Sequence, residues 1–221
     1  MPARLRPTAP VAANAILVGD PGRALLLAQE LLEQPKMSNH ARGLWGYSGR
    51  TPAGVELTVQ ATGMGGPSAA IVLADLAELG VRRAIRVGTC VALDPRLGAG
   101  ELLAVVAAYD LTGPRPRPGA PVLPDLGLTG LLRRQLGEEA RAATVASLDV
   151  LHGGAEPASV STGDAADMQS AALLRRGPAL GVALAAVLIV AESSDGTRLR
   201  DEELEAAARR AGTAAAAALS T

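Results

Sequence analysis

At 221 residues the chain can bury one sizeable core, and a hydrophobic share of 48% with 19% charged residues excludes a disordered segment. A net charge of −1 excludes a broad electrostatic footprint for nucleic acid, so a small molecule or another protein is the expected partner. The single cysteine, Cys90, excludes an internal disulfide framework and fits a reducing compartment, with the cytoplasm as the expected location.

The apolar run near the N-terminus is short, broken by Asn14 and ended by Asp20, which does not read as a secretory signal. Residues 15–19, "AILVG", read as a strand leading into a helix over 24–32, and residues 54–64 as a strand leading into a helix over 67–79. Strand patterns follow at 82–90 and 101–111, then a helix at 128–140, an extended run at 141–151 and a helix at 168–177. The most apolar segment, residues 181–191, is shorter than the roughly 20 residues a membrane span needs and reads as a buried strand over 182–190. No membrane partner is expected. A helix over 201–219 closes the chain. Residues 112–127 are too rich in proline for a regular element, and 152–167 read as loop. Apolar strands without strict alternation, spaced by helices, predict a mostly parallel sheet covered on both faces, with ligands gathered at the carboxyl ends of the strands.

Three of those strand ends share one chemistry. In "GDPGR", residues 19–23, a glycine lets backbone approach a ligand, a helix start offers free N–H groups, and Arg23 adds a forked cation. Together they suit an anion, although a plain turn with a surface arginine has the same letters. In "IRVGTC", residues 85–90, Arg86 sits inside an apolar strand and needs a partner, which a ligand or a structural ion pair would supply; Gly88 and Thr89 follow it. "ATGMGGPSAA", residues 61–70, is a third glycine cluster opening a helix, or simply a tight turn.

"GDPGR", "NHARGLWGYSG" (39–49), "TGMGGPS" (62–68), "LAELGVRRAIRVGTC" (76–90) and "DMQSAALL" (167–174) occur in the order and spacing of the hexameric nucleoside phosphorylases, and the chain resembles that family from about Leu17 to the last helix. The family includes bacterial purine nucleoside phosphorylase and uridine phosphorylase. The resemblance implies a single α/β domain over residues 1–221, with a central mixed, partly barrel-like sheet flanked by helices. It also implies reversible phosphorolysis of a nucleoside to free base and ribose 1-phosphate, with inorganic phosphate as co-substrate and no metal or organic cofactor.

By the same resemblance Gly19, Arg23, Arg86 and Thr89 hold phosphate, and Arg42 reaches into the neighbouring subunit's site. A dimer is then the smallest active unit and a hexamer the expected assembly. Met64, Asp167, Met168 and Gln169 are the expected ribose contacts. The family carries Glu-Met-Glu where this chain has Asp-Met-Gln, so Gln169 can accept from the sugar hydroxyls only through a neutral carbonyl. A histidine that the family's neighbouring subunit supplies near the N-terminus is missing from "RPTAPVA", residues 6–12. Glu192 falls on the position of the carboxyl that protonates a leaving purine, with Asp195 the alternative acid. Leu151 and His152 replace the aromatic residues that stack on the base, and Ala155 and Pro157 stand where uridine phosphorylases carry a uracil-reading glutamine and arginine. A purine is therefore favoured over uridine. A nucleosidase of the same fold, using water, and a non-catalytic ligand-binding descendant are the other readings; three arginines around one anion argue for phosphate.

Overall fold

Successive apolar residues along a strand point to opposite faces, and here both faces are buried. Ala15 and Leu17 join one apolar core, Ile16 and Val18 another, and Ala84 and Ile85 divide in the same way. The structure, a computed structural model, describes residues 2, 4–113, 119–151 and 162–221.

In chain order the elements are β1 (Asn14–Val18), α1 (Pro21–Leu31), β2 (Glu33–Asn39), β3 (Gly46–Arg50), β4 (Glu56–Ala61), α2 (Gly65–Glu78) and β5 (Arg83–Ala92). There follow β6 (Leu102–Asp110), α3 (Leu126–Leu136), β7 (Ala140–Ser147), β8 (Ala165–Asp167), α4 (Ser170–Ala179), β9 (Ala183–Glu192) and α5 (Asp201–Leu219). Among the described residues the strands form one sheet in the order β2-β3-β4-β1-β5-β8-β7-β6-β9, and an additional β5–β9 pairing closes its second half into a ring. The fold is therefore a single α/β domain with a partial barrel and an open wing. The sheet is more mixed than the apolar runs predict: among the described residues five pairings are parallel and four antiparallel.

Helices α1, α3 and α5 pack on one face, and α2 and α4 on the other. Alanines 207, 208, 211, 214, 215 and 218 are the buried stripe of α5, and a Cβ at Gly212 would lie 2.6 Å from Leu27 Cδ2, so α1 and α5 approach as closely as they do because no side chain intervenes. Among the described residues no helix is long and apolar enough to cross a membrane.

Three segments depart from the sequence pattern. The β2–β3 hairpin lies where no element is predicted, because its residues are charged and half-exposed on an edge strand that also carries Pro35. The proline-rich segment ends with Val122 bridged to Ala108 and α3 started by Asp125, whose side chain accepts from Leu128 N at 2.7 Å. Strand β8 is only three residues long, too short for any periodicity.

Candidate active site

One edge of β5 is forked. β1 pairs with it as far as Arg86 and β8 joins from Val91, while β9 occupies the other edge throughout. Between those limits the forked edge has no strand partner among the described residues, and the gap falls at Gly88 and Thr89. A cleft of about 450 Å³ opens there, lined by Gly19, Arg23, Met64, Arg86, Thr89, Leu151, Met168 and Gln169 together with the backbone of Gly63, Gly65 and Gly88. Eight of the residues read from the sequence as one site thus come together at the strand ends.

The "GDPGR" turn divides its work. Asp20 caps α1, accepting from Arg23 N at 2.7 Å, and Pro21 takes the first helical position, where a missing N–H costs nothing. That leaves the Arg23 side chain at the helix start, facing the cleft. Its guanidinium makes no hydrogen bond or ion pair among the described residues. Burial holds it below the ordinary arginine value; Asp20 opposes that shift and Arg86 adds to it.

Arg86, 5% exposed, is instead tightly partnered. Nη2 donates to Asp167 Oδ2 at 3.0 Å, Nη1 to Gln169 Oε1 at 2.6 Å and Nε to Ser170 Oγ at 3.3 Å. Among the described residues three of its five N–H groups are used, and the other two remain for the cleft that it lines. Gly88 makes room for this: a Cβ there would sit 2.5 Å from Arg86 Cζ and 2.8 Å from Leu188 Cδ2. Arg86 is thus both a structural ion pair and a wall of the cleft.

Asp167 does not reach the cleft. It is fully buried behind Arg86, where it also accepts from Ser147 Oγ, Ser170 N and Ser170 Oγ. Gln169 touches the cleft, but its amide serves the protein. Its carbonyl takes Arg86, and its NH2 donates to Gly63 O at 2.5 Å and Gly65 O at 3.3 Å. Met64, 88% exposed, projects over the opening.

Glu192 lies in an adjoining cavity of about 210 Å³ that shares Thr89 and Leu151 with the main cleft. Its Oε2 accepts from Arg198 Nε at 2.7 Å, and the two residues are also bridged through their backbones. Asp195 is outside both cavities, exposed in the intervening turn. Hydrogen bonds from the Ser193 hydroxyl and from Thr197 N hold its carboxyl down at about 2, which suits an acceptor that closes a turn and not a proton donor. Arg42 is exposed, outside its own chain's cleft, and adopts φ 60°, a left-handed conformation that costs a non-glycine residue energy. His152, like positions 155 and 157, lies outside the described residues.

Ser147, Ser170 and Arg198 are not singled out by the sequence. Serines carry no pattern of their own, and Arg198 gains its meaning only from the turn, marked by Asp195-Gly196, that folds it back on Glu192.

Among relatives, the chain is 40% identical over 94 residues to the purine nucleoside phosphorylase DeoD-type of Oceanobacillus iheyensis and 38% identical over 99 residues to that of Caldanaerobacter subterraneus subsp. tengcongensis. Those alignments span 42% and 44% of this chain but only 40% and 42% of the relatives. With the Streptococcus uberis protein of the same name it shares 33% identity over 175 residues, 74% of this chain and 73% of that one. Purine nucleoside phosphorylase from Toxoplasma gondii, solved in complex with immucillin-H, superimposes with a TM-score of 0.81 at 25% identity, covering 94% of this chain and 91% of that chain. The sequence profile described as the Phosphorylase superfamily matches residues 14–221. That span takes in every strand and helix around the cleft, and the chain belongs to the Phosphorylase superfamily.

Proposed function

We propose that this protein catalyses the reversible phosphorolysis of a nucleoside, with purine favoured, to free base and ribose 1-phosphate. The observation that carries the proposal is the Arg23 guanidinium, half-buried beside a helix N-terminus, without a partner among the described residues, and near a second arginine that disfavours its charge. An arrangement that costs energy when empty is relieved by a bound anion.

Phosphate held by Gly19, Arg23, Arg86 and Thr89 stands next to the sugar, which Met64 and Met168 would cover. As the glycosidic bond lengthens, the sugar gains oxocarbenium character; the phosphate dianion stabilises that charge and then attacks the anomeric carbon. Leu151 packs against the base. Glu192, reached through the shared wall of the two cavities, takes up a proton from solvent on Oε1 while Oε2 accepts from Arg198 Nε, and passes that proton to the leaving ring nitrogen. Asp167 serves through Arg86 and does not touch the sugar.

The exposed Arg42, with its strained backbone, is supplied to the cleft of a second copy, so that a dimer is the smallest complete unit and a hexamer the full assembly. The reaction so written needs no metal or organic cofactor, and a cytoplasmic location belongs to the same reading. The names of the relatives support purine over uridine. Release of base from inosine, adenosine and uridine, followed by absorbance with and without inorganic phosphate, tests this. Phosphate-dependent cleavage of a purine nucleoside is expected; equal release without phosphate would make the protein a hydrolase, and no release from any of the three would remove the enzymatic reading.

A further inference from the structure

We infer that Gln169 is a positioning residue for the phosphate end of the cleft, and not a ligand of the sugar. The inference rests on the phosphate reading above.

Four chain segments meet at this one side chain. Arg86 Nη1, from β5, donates to Gln169 Oε1 at 2.6 Å, and Thr62 Oγ1, from the end of β4, lies 3.2 Å from the same oxygen while also 3.0 Å from Val18 O at the end of β1. Nε2 donates to Gly63 O and Gly65 O in the turn that starts α2. Gln169 itself sits at the junction of β8 and α4. The side chain is buried, and a Cβ at Gly19 would come within 3.9 Å of its Oε1, so the first anion turn lies against it as well.

The partners settle the amide's orientation. One end faces the Arg86 cation, which can only donate, and must be an acceptor; the other faces two carbonyls and must be a donor. A carboxylate would satisfy the first end only, setting negative charge against Gly63 O and Gly65 O. It would also place a second anion beside Arg86, which already has Asp167 at 3.0 Å. Arg86 would then be drawn toward the protein, with less of its charge presented to phosphate. Gly63 and Gly65, at φ 73° and 79°, occupy the left-handed region, and Gln169 ties both of their carbonyls to the arginine.

Q169E tests this, with Q169M, which fills similar volume without hydrogen bonds, carrying the same test should Q169E fail to accumulate as folded protein. The expected result is a KM for inorganic phosphate raised by about tenfold or more, the loss of one charge-assisted hydrogen bond, with nucleoside KM unchanged within about twofold. The ratio of kcat/KM for a ribonucleoside over its 2′-deoxy analogue should stay constant. A changed ratio with an unchanged phosphate KM would make Gln169 a sugar ligand and overturn the inference, as would a lowered melting temperature with both KM values intact. A parent protein whose base release ignores phosphate would overturn the phosphate reading and this inference with it, whereas a phosphate-dependent parent with indifferent variants would overturn the inference alone.

Discussion

Arg86 Nη2 lies 3.0 Å from Asp167 Oδ2, and the two side chains are 6% and 0% exposed. A charge buried this deeply depends on its counter-ion, and removing one member leaves the other uncompensated. Asp167→Ala should therefore lower unfolding free energy in urea by about 3–5 kcal/mol. Asp167→Asn, which keeps the volume and one of the two acceptor oxygens, should cost less but still weaken phosphate binding.

Arg23 is the contrasting case. With no partner among the described residues, its replacement removes a desolvated charge and no bond described there. Arg23→Ala should leave unfolding free energy within about 0.5 kcal/mol of the parent, or above it, while raising the phosphate KM by about 10–100-fold. Initial-rate kinetics alongside a denaturation curve would separate it from Arg86→Ala, which should damage both quantities.

Glycine 88 can be tested against a helical glycine. Gly88→Ala drives a methyl group against Arg86 and Leu188 and should cost about 1–3 kcal/mol as well as phosphate affinity. Gly130 in α3 has nothing within 4 Å of its would-be Cβ and no positive φ, so Gly130→Ala should stabilise by about 0.4–1 kcal/mol without kinetic effect.

For the leaving base, Glu192→Gln should reduce turnover of inosine or adenosine by about 10²–10⁴-fold. Nucleosides of 7-methylated purines, whose base already carries positive charge, should be spared. Asp195→Asn should change turnover little, because Asp195 lines neither cavity. The reverse ranking in a steady-state assay would transfer the proton-donating role to Asp195.

Asp195 should show itself in acid stability instead. Its folded-state value of about 2 lies below the ordinary aspartate value of about 3.9, so folding favours the ionised form. The corresponding stabilisation is complete above about pH 4 and disappears as pH falls through about 2. Melting temperatures of the parent and of Asp195→Asn should therefore differ at pH 6 and converge toward pH 2; a constant gap would remove the turn-closing role.

The strand and helix order was legible because apolar runs and helix starts are local. Asp20-Pro21 marks the head of α1 as plainly in the letters as in space, and α5 runs over the predicted 201–219. The five ordered motifs likewise identified the family and most of the cleft-lining residues. The letters could not show that β5 is forked between β1 and β8, since that depends on pairing between segments far apart in the chain, such as Asn14 with Arg83 and Val91 with Ala166. The β2–β3 hairpin escaped because an exposed, charged edge leaves no apolar period. Tertiary structure also decided the partners: Arg86 takes Asp167, 81 positions away, Gln169 spans 106 positions to Gly63, and Glu192 is met by Arg198 only because a turn intervenes. Residue type states which hydrogen bonds a side chain can make. Which of them it makes is settled by the groups that folding brings within about 3 Å, and so Asp167 and Gln169, read as sugar contacts in sequence, face Arg86 in the fold.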